Sequence, residues 1–357
     1  MLTEPESTGT ARRPERSSAP MPQDLPANPV LVRLWRGEEV ESLHRGSWAL
    51  VDPDGRLLAG QGATTAPIFA RSSTKALQAL PLVETGAAEA QGFSEEELAL
   101  ALASHNGEPC HTRVVSGLLG RLELGVGDLR CGAHRPQDHD AAFELRRRGE
   151  AFSALHNNCS GKHAAFLALG RFLGEAPESY IDPASRSQLL VRQAVLEMTG
   201  CAEEELQVAV DGCSAPTFRM PLERLALGFA RFTNPEGLSA RRRAACERLA
   251  ATVAAHPTLI GGTQKQICSA IAAATGGRLF PKIGAEAVYV IGERGGRRAL
   301  AIKMDDGGKR GLTALILHLL ERFDLARPEE LAALARWAPG PLHNHAGLVV
   351  GRTEVVD

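Results

Sequence analysis

Aromatic side chains are scarce in this chain, which has 357 residues but only three tryptophans, two tyrosines and eleven phenylalanines. With 4% aromatic residues, the core must be built mainly from leucine, alanine and valine. A large excess of charge is also missing, since the formal net charge is -2. The sequence therefore gives no indication of a nucleic-acid partner or of a strongly acidic or basic binding surface.

Long apolar runs are absent as well, because no segment approaches the roughly 20 residues that a membrane span needs. The apolar content of 44% and the charged content of 23% are those of a soluble globular protein. The seven cysteines are odd in number and scattered, which argues against a disulfide framework. We therefore expect no membrane partner and a location in the reducing cytoplasm.

The N-terminal segment, residues 1–28, is rich in proline, serine, threonine and charge. It has no apolar stretch of the kind found in signal peptides. Such a composition buries too little surface to offset the entropy of ordering, so we predict a disordered extension. Met21 is an alternative start within it.

Strand-like patterns occur at both ends of the remaining chain, and helical patterns lie between them. This order predicts an α/β (α+β) fold in which one sheet is assembled from both termini around an inserted helical region. We predict a single catalytic domain over residues 29–357, with sheet-bearing parts at 29–110 and 277–357 and a mainly helical part at 111–276. The predicted strands are 30–35, 48–51, 57–58, 206–210, 288–291 and 299–303. The predicted helices are one that Ser72 or Ser73 caps, then 94–103, 110–125, 139–152, 162–174, 184–199, 221–232, 239–255, 264–275 and 311–323.

The first chemical signal is the Ser72-Ser-Thr-Lys75 segment at the start of a predicted helix. Residues three apart lie on one helix face, so Ser72 and Lys75 can touch. A neutral amine can activate a serine hydroxyl, and Ser-x-x-Lys is the nucleophile arrangement of β-lactamases and penicillin-binding proteins. A capped surface helix with a solvated lysine would show the same pattern.

Two later residues extend this signal. Ser104 stands in a polar turn directly after an apolar helix, and Lys282 stands just before a predicted C-terminal strand. In serine β-lactamases a second serine and a Lys-x-Gly segment follow the nucleophile in this order. A solvated lysine at a strand end is the alternative for Lys282.

A third signal combines thiols and imidazoles. His156, Cys159 and His163 lie close together in sequence, and Cys213 follows a later strand. These are side chains that bind zinc, although the Cys-x-x-Cys spacing typical of zinc sites is absent. The alternative is two buried cysteines that behave as small apolar residues.

Several motifs together resemble the rhizobial-type L-asparaginase II family over residues 28 to about 350. The most specific are Asn158-Cys-Ser-Gly-Lys-His163 and Val210-Asp-Gly-Cys-Ser-Ala-Pro216. The resemblance implies a fold similar to serine β-lactamases and glutaminases, and a homodimer. The other motifs are Asn28-Pro-Val-Leu-Val, Glu41-Ser-Leu-His-Arg-Gly, Arg71-Ser-Ser-Thr-Lys, Ala103-Ser-His-Asn-Gly-Glu and Lys282-Ile-Gly-Ala-Glu.

The family resemblance also implies roles for particular residues. It implies two serine–lysine pairs, Ser72 with Lys75 and Ser104 with Lys282, although Lys303 is a rival for the second lysine. It implies a zinc ion near the substrate, held by Cys159, Lys162 and Cys213, and His156 then has no ligand role. The substrate-binding residues that it implies are Arg71, His105, His163, Asp211 and Glu286.

The function that the resemblance implies is hydrolysis of L-asparagine to L-aspartate and ammonia through a serine acyl-enzyme that lysine activates. A glutaminase or broader amidase is the alternative, because one methylene is worth only about 1–3 kcal/mol of discrimination. A penicillin-binding-like module held by zinc and without turnover is the alternative outside hydrolytic enzymes.

Overall fold

A computed structural model gives the structure of the protein over residues 27–263 and 266–356. The extension predicted over residues 1–28 therefore lies outside the described residues, apart from its last two positions. Asn28 already belongs to the fold, because its side-chain amide binds the backbone N–H of Ala63 and the carboxylate of Asp305. Within the described ranges no helix is long and apolar enough to cross a membrane.

The described strands form two antiparallel sheets. In chain order they are β1 (Val30–Arg36), β2 (Glu39–Val51), β3 (Leu57–Gln61), β4 (Pro67–Phe69), β5 (Gln207–Val210), β6 (Pro216–Pro221), β7 (Leu279–Ile283), β8 (Val288–Glu293), β9 (Arg298–Met304), β10 (Pro341–His343) and β11 (Val349–Val355). The large sheet has the order β10-β11-β1-β2-β9-β8-β7, with β3 paired to the end of β2. A small sheet has the order β4-β6-β5. The prediction of one sheet built from both termini is confirmed.

Helices fill the chain between the two groups of strands. They are α1 (Lys75–Gln78), α2 (Leu80–Glu84), α3 (Ala87–Ala90), α4 (Glu95–Ala101), α5 (Pro109–Arg121), α6 (His139–Arg147), α7 (Ser160–Phe172), α8 (Arg186–Thr199), α9 (Leu222–Thr233), α10 (Ala240–Ala255), α11 (Ile267–Ala274), α12 (Lys309–Arg322) and α13 (Pro328–Ala333). Short 3-10 turns are Arg71–Thr74, Val126–Asp128, Ala154–His156, Pro177–Ile181 and Ala335–Trp337. Each longer predicted helix is present, with ends that differ by a few residues.

The core lies where the sheet meets these helices. Every residue of β8 is buried, as expected for a central strand with both faces covered. Helix α9 packs on β2, β8 and β9, and α12 packs on β1 and β11. Leucine and alanine dominate the buried positions, as the low aromatic content predicts. At the edge of the sheet, α10 and α11 pack on β7, where one predicted catalytic lysine lies.

Two local structures at the site differ from those that the sequence predicts. Lys282 lies inside β7 and pairs with Val290 of β8, rather than before a strand. Pro281 obscured this strand in the sequence, but an edge strand tolerates the missing N–H of proline. Ser72 and Ser73 do not cap a helix, because they lie within a 3-10 turn and the Ser73 hydroxyl donates to the carbonyl of Ala70 at 2.6 Å.

Candidate active site

The Arg71–Thr74 turn and the α1 helix after it place Ser72 at a cavity of about 590 Å³. The neighbours Ser73 and Thr74 are fully buried, whereas Ser72 is partly exposed and lines this cavity. The Ser72 Oγ lies 3.9 Å from the Cys159 Sγ. One hydroxyl of the turn is therefore available to a substrate.

Ser104 reaches the same cavity from a different element. A capping box between Ser94 and Glu97 begins α4, as the sequence predicted, and Ser104 follows this buried helix. Its backbone N–H donates to the carbonyl of Ile260 at 3.0 Å, which fixes the polar turn. Ser104 is 7% exposed and lines the cavity together with Ser72.

Two buried lysines meet at the Ser104 hydroxyl. The Lys282 Nζ lies 2.7 Å from the Ser104 Oγ, and the Lys75 Nζ lies 3.2 Å from the same atom. The other partners of Lys75 are the carbonyls of Ala103 and Asn158, so within the described residues its amine bonds to Ser104 and not to Ser72. Ser104 therefore links the two amines in one hydrogen-bonded chain.

Burial makes both amines weaker bases than ordinary lysines. Burial, together with the nearby charge of Lys75, lowers the pKa of Lys282 to about 7. Burial also lowers the pKa of Lys75, although the neighbouring Cys159 thiolate opposes this shift. A lysine with a pKa near 7 is partly neutral at neutral pH, so it can accept a proton.

The rival lysine, Lys303, has a different environment. It lies on β9 opposite Val288, and its Nζ donates to the backbone carbonyls of Glu286 and Met304. Its side chain is not among those that line the cavity of Ser72 and Ser104. Lys282 is therefore the better candidate for the second catalytic lysine.

Beside this chain lies a cluster of potential metal ligands. The Sγ atoms of Cys159 and Cys213 and a carboxylate oxygen of Asp211 all lie within 4.8 Å of one another. The Lys162 Nζ donates to the Cys213 Sγ at 3.2 Å. Cys159 immediately precedes α7 and Lys162 lies in its first turn, while the other two residues lie in the turn between β5 and β6. Two buried thiols with nitrogen and oxygen donors suit zinc.

The groups of this cluster shift one another's pKa values. A hydrogen bond from Cys213 lowers the pKa of Cys159 well below its usual value against the effect of burial, and Lys75 and Lys162 lower it further. Burial alone would lower the pKa of Lys162, but the neighbouring Cys159, Cys213 and Asp211 groups raise it. The hydrogen bond with Cys159 raises the pKa of the Cys213 thiol. Deprotonation of the Lys162 amine and of the Cys213 thiol would therefore have to accompany metal binding.

A close approach of two helices brings this cluster to the serines. A Cβ on Gly161 would lie 2.3 Å from the carbonyl oxygen of Leu100. Only glycine lets the first turn of α7 pack this closely on α4, the helix that leads into Ser104. This close contact explains why the Asn-Cys-Ser-Gly-Lys-His motif has glycine at position 161.

The predicted histidines are placed away from the cavity surface. His105 and His163 are fully buried, and burial holds the pKa of each imidazole well below its usual value. His105 binds Ser160 Oγ at 2.9 Å, and His163 binds the Tyr180 hydroxyl at 2.7 Å. His105 therefore holds the first turn of α7 through Ser160, and His163 lies in α7 itself, so both side chains are packed beneath the site and do not line the cavity. His156 binds the backbone of Ser153 and lies outside the thiol cluster.

Of the remaining predicted substrate residues, Glu286 lines the cavity, whereas Arg71, which precedes Ser72, and Asp211 do not. Arg71 pairs with the carboxylate of Asp211 and has a φ of +52°, an unfavourable value for a residue with a Cβ. The carboxylate of Glu286 is exposed and lines the cavity. Burial would raise the pKa of Asp211, but the Arg71 and Lys162 charges lower it, so the carboxylate is ionised.

Several residues that line the cavity were not predicted from the sequence. They come from the loop after Ser104, from the start of α6 and the loop before it, from the position before Cys159, and from the α12 and Ala335–Trp337 segments. They comprise Asn106, Gln137, Asp138, His139, Asp140, Asn158, Lys309, Thr313 and Trp337. Asp138 could have been found as a helix cap, because its side chain accepts from the N–H of Ala141. The others carry no local signal, since only the tertiary fold brings them together.

A hydroxyl between two buried amines, beside a cavity that a second serine also lines, is an arrangement typical of enzymes that cleave acyl bonds. The profile of the L-asparaginase II family matches residues 32–355. The chain therefore belongs to the L-asparaginase II family and is an amidohydrolase of the L-asparaginase type.

Comparison with solved structures gives distant matches. A β-lactamase from Mycobacterium bovis is 16% identical, with a TM-score of 0.39, 82% of this chain covered and 95% of the other. Mglu, crystallised in its Tris and glutamate form, is 14% identical, with a TM-score of 0.36 and 84% of this chain covered. The chain spans 63% of the length of Mglu. Among curated protein sequences no relative matches this chain.

Proposed function

We propose that the protein hydrolyses the side-chain amide of L-asparagine through an acyl-enzyme on Ser72. The observation that carries this proposal is the hydrogen-bonded chain Lys75–Ser104–Lys282 next to Ser72, in a cavity of a protein of this family. Ser72 is the nucleophile because its hydroxyl lines the cavity and is not bound to either amine. The role of Lys75 as its base rests on the family resemblance, because within the described residues the Lys75 amine bonds to Ser104 and not to Ser72.

In the first step the Ser72 oxygen attacks the amide carbon and its proton passes to Lys75. The Ser104 hydroxyl connects Lys75 to Lys282, so the proton can move along this chain to the leaving nitrogen. Ammonia departs and an aspartyl ester remains on Ser72. Backbone N–H groups beside Ser72 would stabilise the oxyanion, each worth on the order of 3 kcal/mol.

In the second step water attacks the ester and releases L-aspartate. Lys282, whose pKa of about 7 leaves it partly neutral, takes the proton from the water through Ser104. A proton then passes back through Lys75 to the Ser72 oxygen as the ester bond breaks. Asp211 and Arg71 would bind the charged α-groups of the substrate. We also propose, on the family resemblance, that the chain acts as a homodimer.

A steady-state comparison of the two amides tests the proposed substrate. We expect ammonia release from L-asparagine to exceed release from L-glutamine, because an extra methylene moves the amide carbon away from Ser72. The kcat/KM ratio should be about tenfold or more, the range that one methylene can supply. Equal kcat/KM values would instead identify a broader amidase, and no release from either amide would contradict hydrolysis.

We further propose that Cys159, Cys213 and Lys162 hold a zinc ion, with Asp211 close to it. Zinc would supply a fixed positive charge that positions the substrate, since serine already provides the nucleophile.

Zinc content measured by elemental analysis should be one equivalent per chain in the wild type and less than about a tenth of that in Cys213→Ser. The matched control is Cys110→Ser, because Cys110 lies outside the cluster and should keep full zinc. Full zinc content in Cys213→Ser would contradict the assignment, whatever the activity of that variant.

A further inference from the structure

Two of the family motifs, Asn28-Pro-Val-Leu-Val and Glu41-Ser-Leu-His-Arg-Gly, contribute no residue to the lining of the cavity that holds the two serines. Both contact the loop between β9 and α12, residues 305–308. The backbone N–H of Asp305 donates to a carbonyl of β2 at 2.9 Å, and the side-chain amide of Asn28 binds the Asp305 carboxylate. The two motifs therefore hold this loop from one side.

His44 of β2 binds the same loop through its side chain. Its Nδ1 lies 2.5 Å from the Oδ2 of Asp306, and the Oδ1 of Asp306 accepts the N–H of Gly308 at 2.8 Å. Burial would raise the pKa of Asp306, but the Gly308 N–H and the His44 ring lower it, so an ionised carboxylate accepts from His44. One carboxylate thus joins β2 to the loop.

The other ring nitrogen of His44 shows that this contact has a cost. His44 is 8% exposed, and its Nε2 has no hydrogen-bond partner within the described residues. A buried nitrogen without a partner costs free energy that an apolar side chain would avoid. The stability of the sheet alone therefore does not account for a histidine here.

On its other side, the loop lies directly against Glu286 in the turn between β7 and β8. Gly307 has a φ of +68°, and a Cβ at this position would overlap the Glu286 carboxylate. Glu286 and Ala287 have φ values of +57° and +52°, which are unfavourable for residues with a Cβ. Such backbone persists only where the surrounding structure fixes it. The position of the Glu286 carboxylate therefore depends on the position of the loop.

His44 also packs under the first turn of α12. A Cβ on Gly311 would lie 3.0 Å from the Cγ of His44, so the helix approaches the ring closely. Lys309 and Thr313 of this helix line the cavity together with Glu286. One buried ring therefore contacts both the loop and the helix that form this wall of the cavity.

We propose that His44 and Asp306 are positioning residues, which fix Glu286 in the cavity wall for substrate binding. The inference rests on the proposed function, because the exposed carboxylate of Glu286 suits the ammonium group of an amino-acid substrate. The two amines that meet at Ser104 are held by other contacts. The pair should therefore affect the binding of the substrate and not the transfer of the acyl group.

Steady-state kinetics of the full-length protein with L-asparagine test this proposal. His44→Ala should raise KM at least about tenfold, the scale of one hydrogen bond to a charged group, and leave kcat within about twofold. His44→Asn should stay within about threefold of the wild-type KM, because its amide N–H can donate to Asp306. Asp306→Ala removes a partly exposed side chain and should reproduce the rise in KM, so it tests the pair even if His44→Ala does not fold. The matched control is His256→Ala, at the end of α10 and outside the cavity lining, which should keep both constants.

A double-mutant comparison separates positioning from a general loss of structure. If His44 acts through Glu286, adding His44→Ala to Glu286→Gln should change KM by less than about twofold. An unchanged KM in His44→Ala, or a full rise in KM on top of Glu286→Gln, would overturn the proposal. If the wild type does not hydrolyse asparagine, the Kd of L-aspartate from isothermal titration replaces KM. The same pattern in Kd would leave the positioning pair standing without the proposed function, and no binding would overturn both.

Discussion

Replacing Ser72 with alanine is expected to lower kcat for L-asparagine by at least about 10⁴-fold, the scale seen when a serine nucleophile is removed. We expect this loss because Ser72 is partly exposed and lines the cavity, and its hydroxyl would form the ester with the substrate. The measurement is the single-turnover rate of ammonia release, since this rate reports acyl transfer rather than product release. Ser73→Ala is the matched control, because the Ser73 hydroxyl donates to Ala70 and does not line the cavity.

Ser104→Ala distinguishes the two serines. We expect this variant to be slow as well, because it removes the only atom that hydrogen bonds to both Lys75 and Lys282 within the described residues. The difference should appear in the trapped intermediate. Acid quench and peptide mapping should find the aspartyl group on the peptide that contains Ser72. An aspartyl group on the peptide that contains Ser104 would reverse the roles that we propose.

The α+β architecture could be predicted because its signals are local. The turn at Asp52–Gly55, the capping box at Ser94 and the apolar periodicities of the middle helices each act within a few residues. The strands that were missed, β4, β6, β7, β10 and β11, contain proline or few buried residues, and their pairing depends on distant partners. These antiparallel strands could therefore be recognised only from the folded structure.

At the candidate active site, too, local motifs could be recognised from the sequence, whereas contacts between distant residues could not. The motifs identified Ser72, Ser104 and Lys282 as candidates, but the sequence could not reveal that Lys75 bonds to Ser104. That contact joins residues from separate elements, and spacing along one helix predicted a different partner. The burial that lowers the pKa of Lys282 is likewise a property of packing from several elements.

Replacing Lys282 with methionine is expected to lower kcat/KM by about 10³-fold or more, within the scale of general acid–base catalysis and beyond one lost hydrogen bond. Lys282→Arg should be equally slow, because a guanidinium stays protonated and cannot act as a base. In the wild type, log kcat/KM should rise with pH through about 7 and then level off. The rate rises with pH because Lys282 is protonated and cannot accept a proton below its pKa of about 7, whereas above that pKa its amine is neutral.

The comparison with Lys303→Met decides between the two lysines. Lys303 binds the backbone carbonyls of Glu286 and Met304, so its removal leaves the chain of Lys75, Ser104 and Lys282 intact. That variant should keep the rise of the pH profile near 7, whereas Lys282→Met should lose it in whatever activity remains. If the rise persisted in Lys282→Met and vanished in Lys303→Met, Lys303 would be the base. Lys282 can determine this pH profile only if its amine stays buried against Ser104. Solvation would restore a pKa near the usual 10.4, and the amine would then be protonated at neutral pH and unable to act as a base.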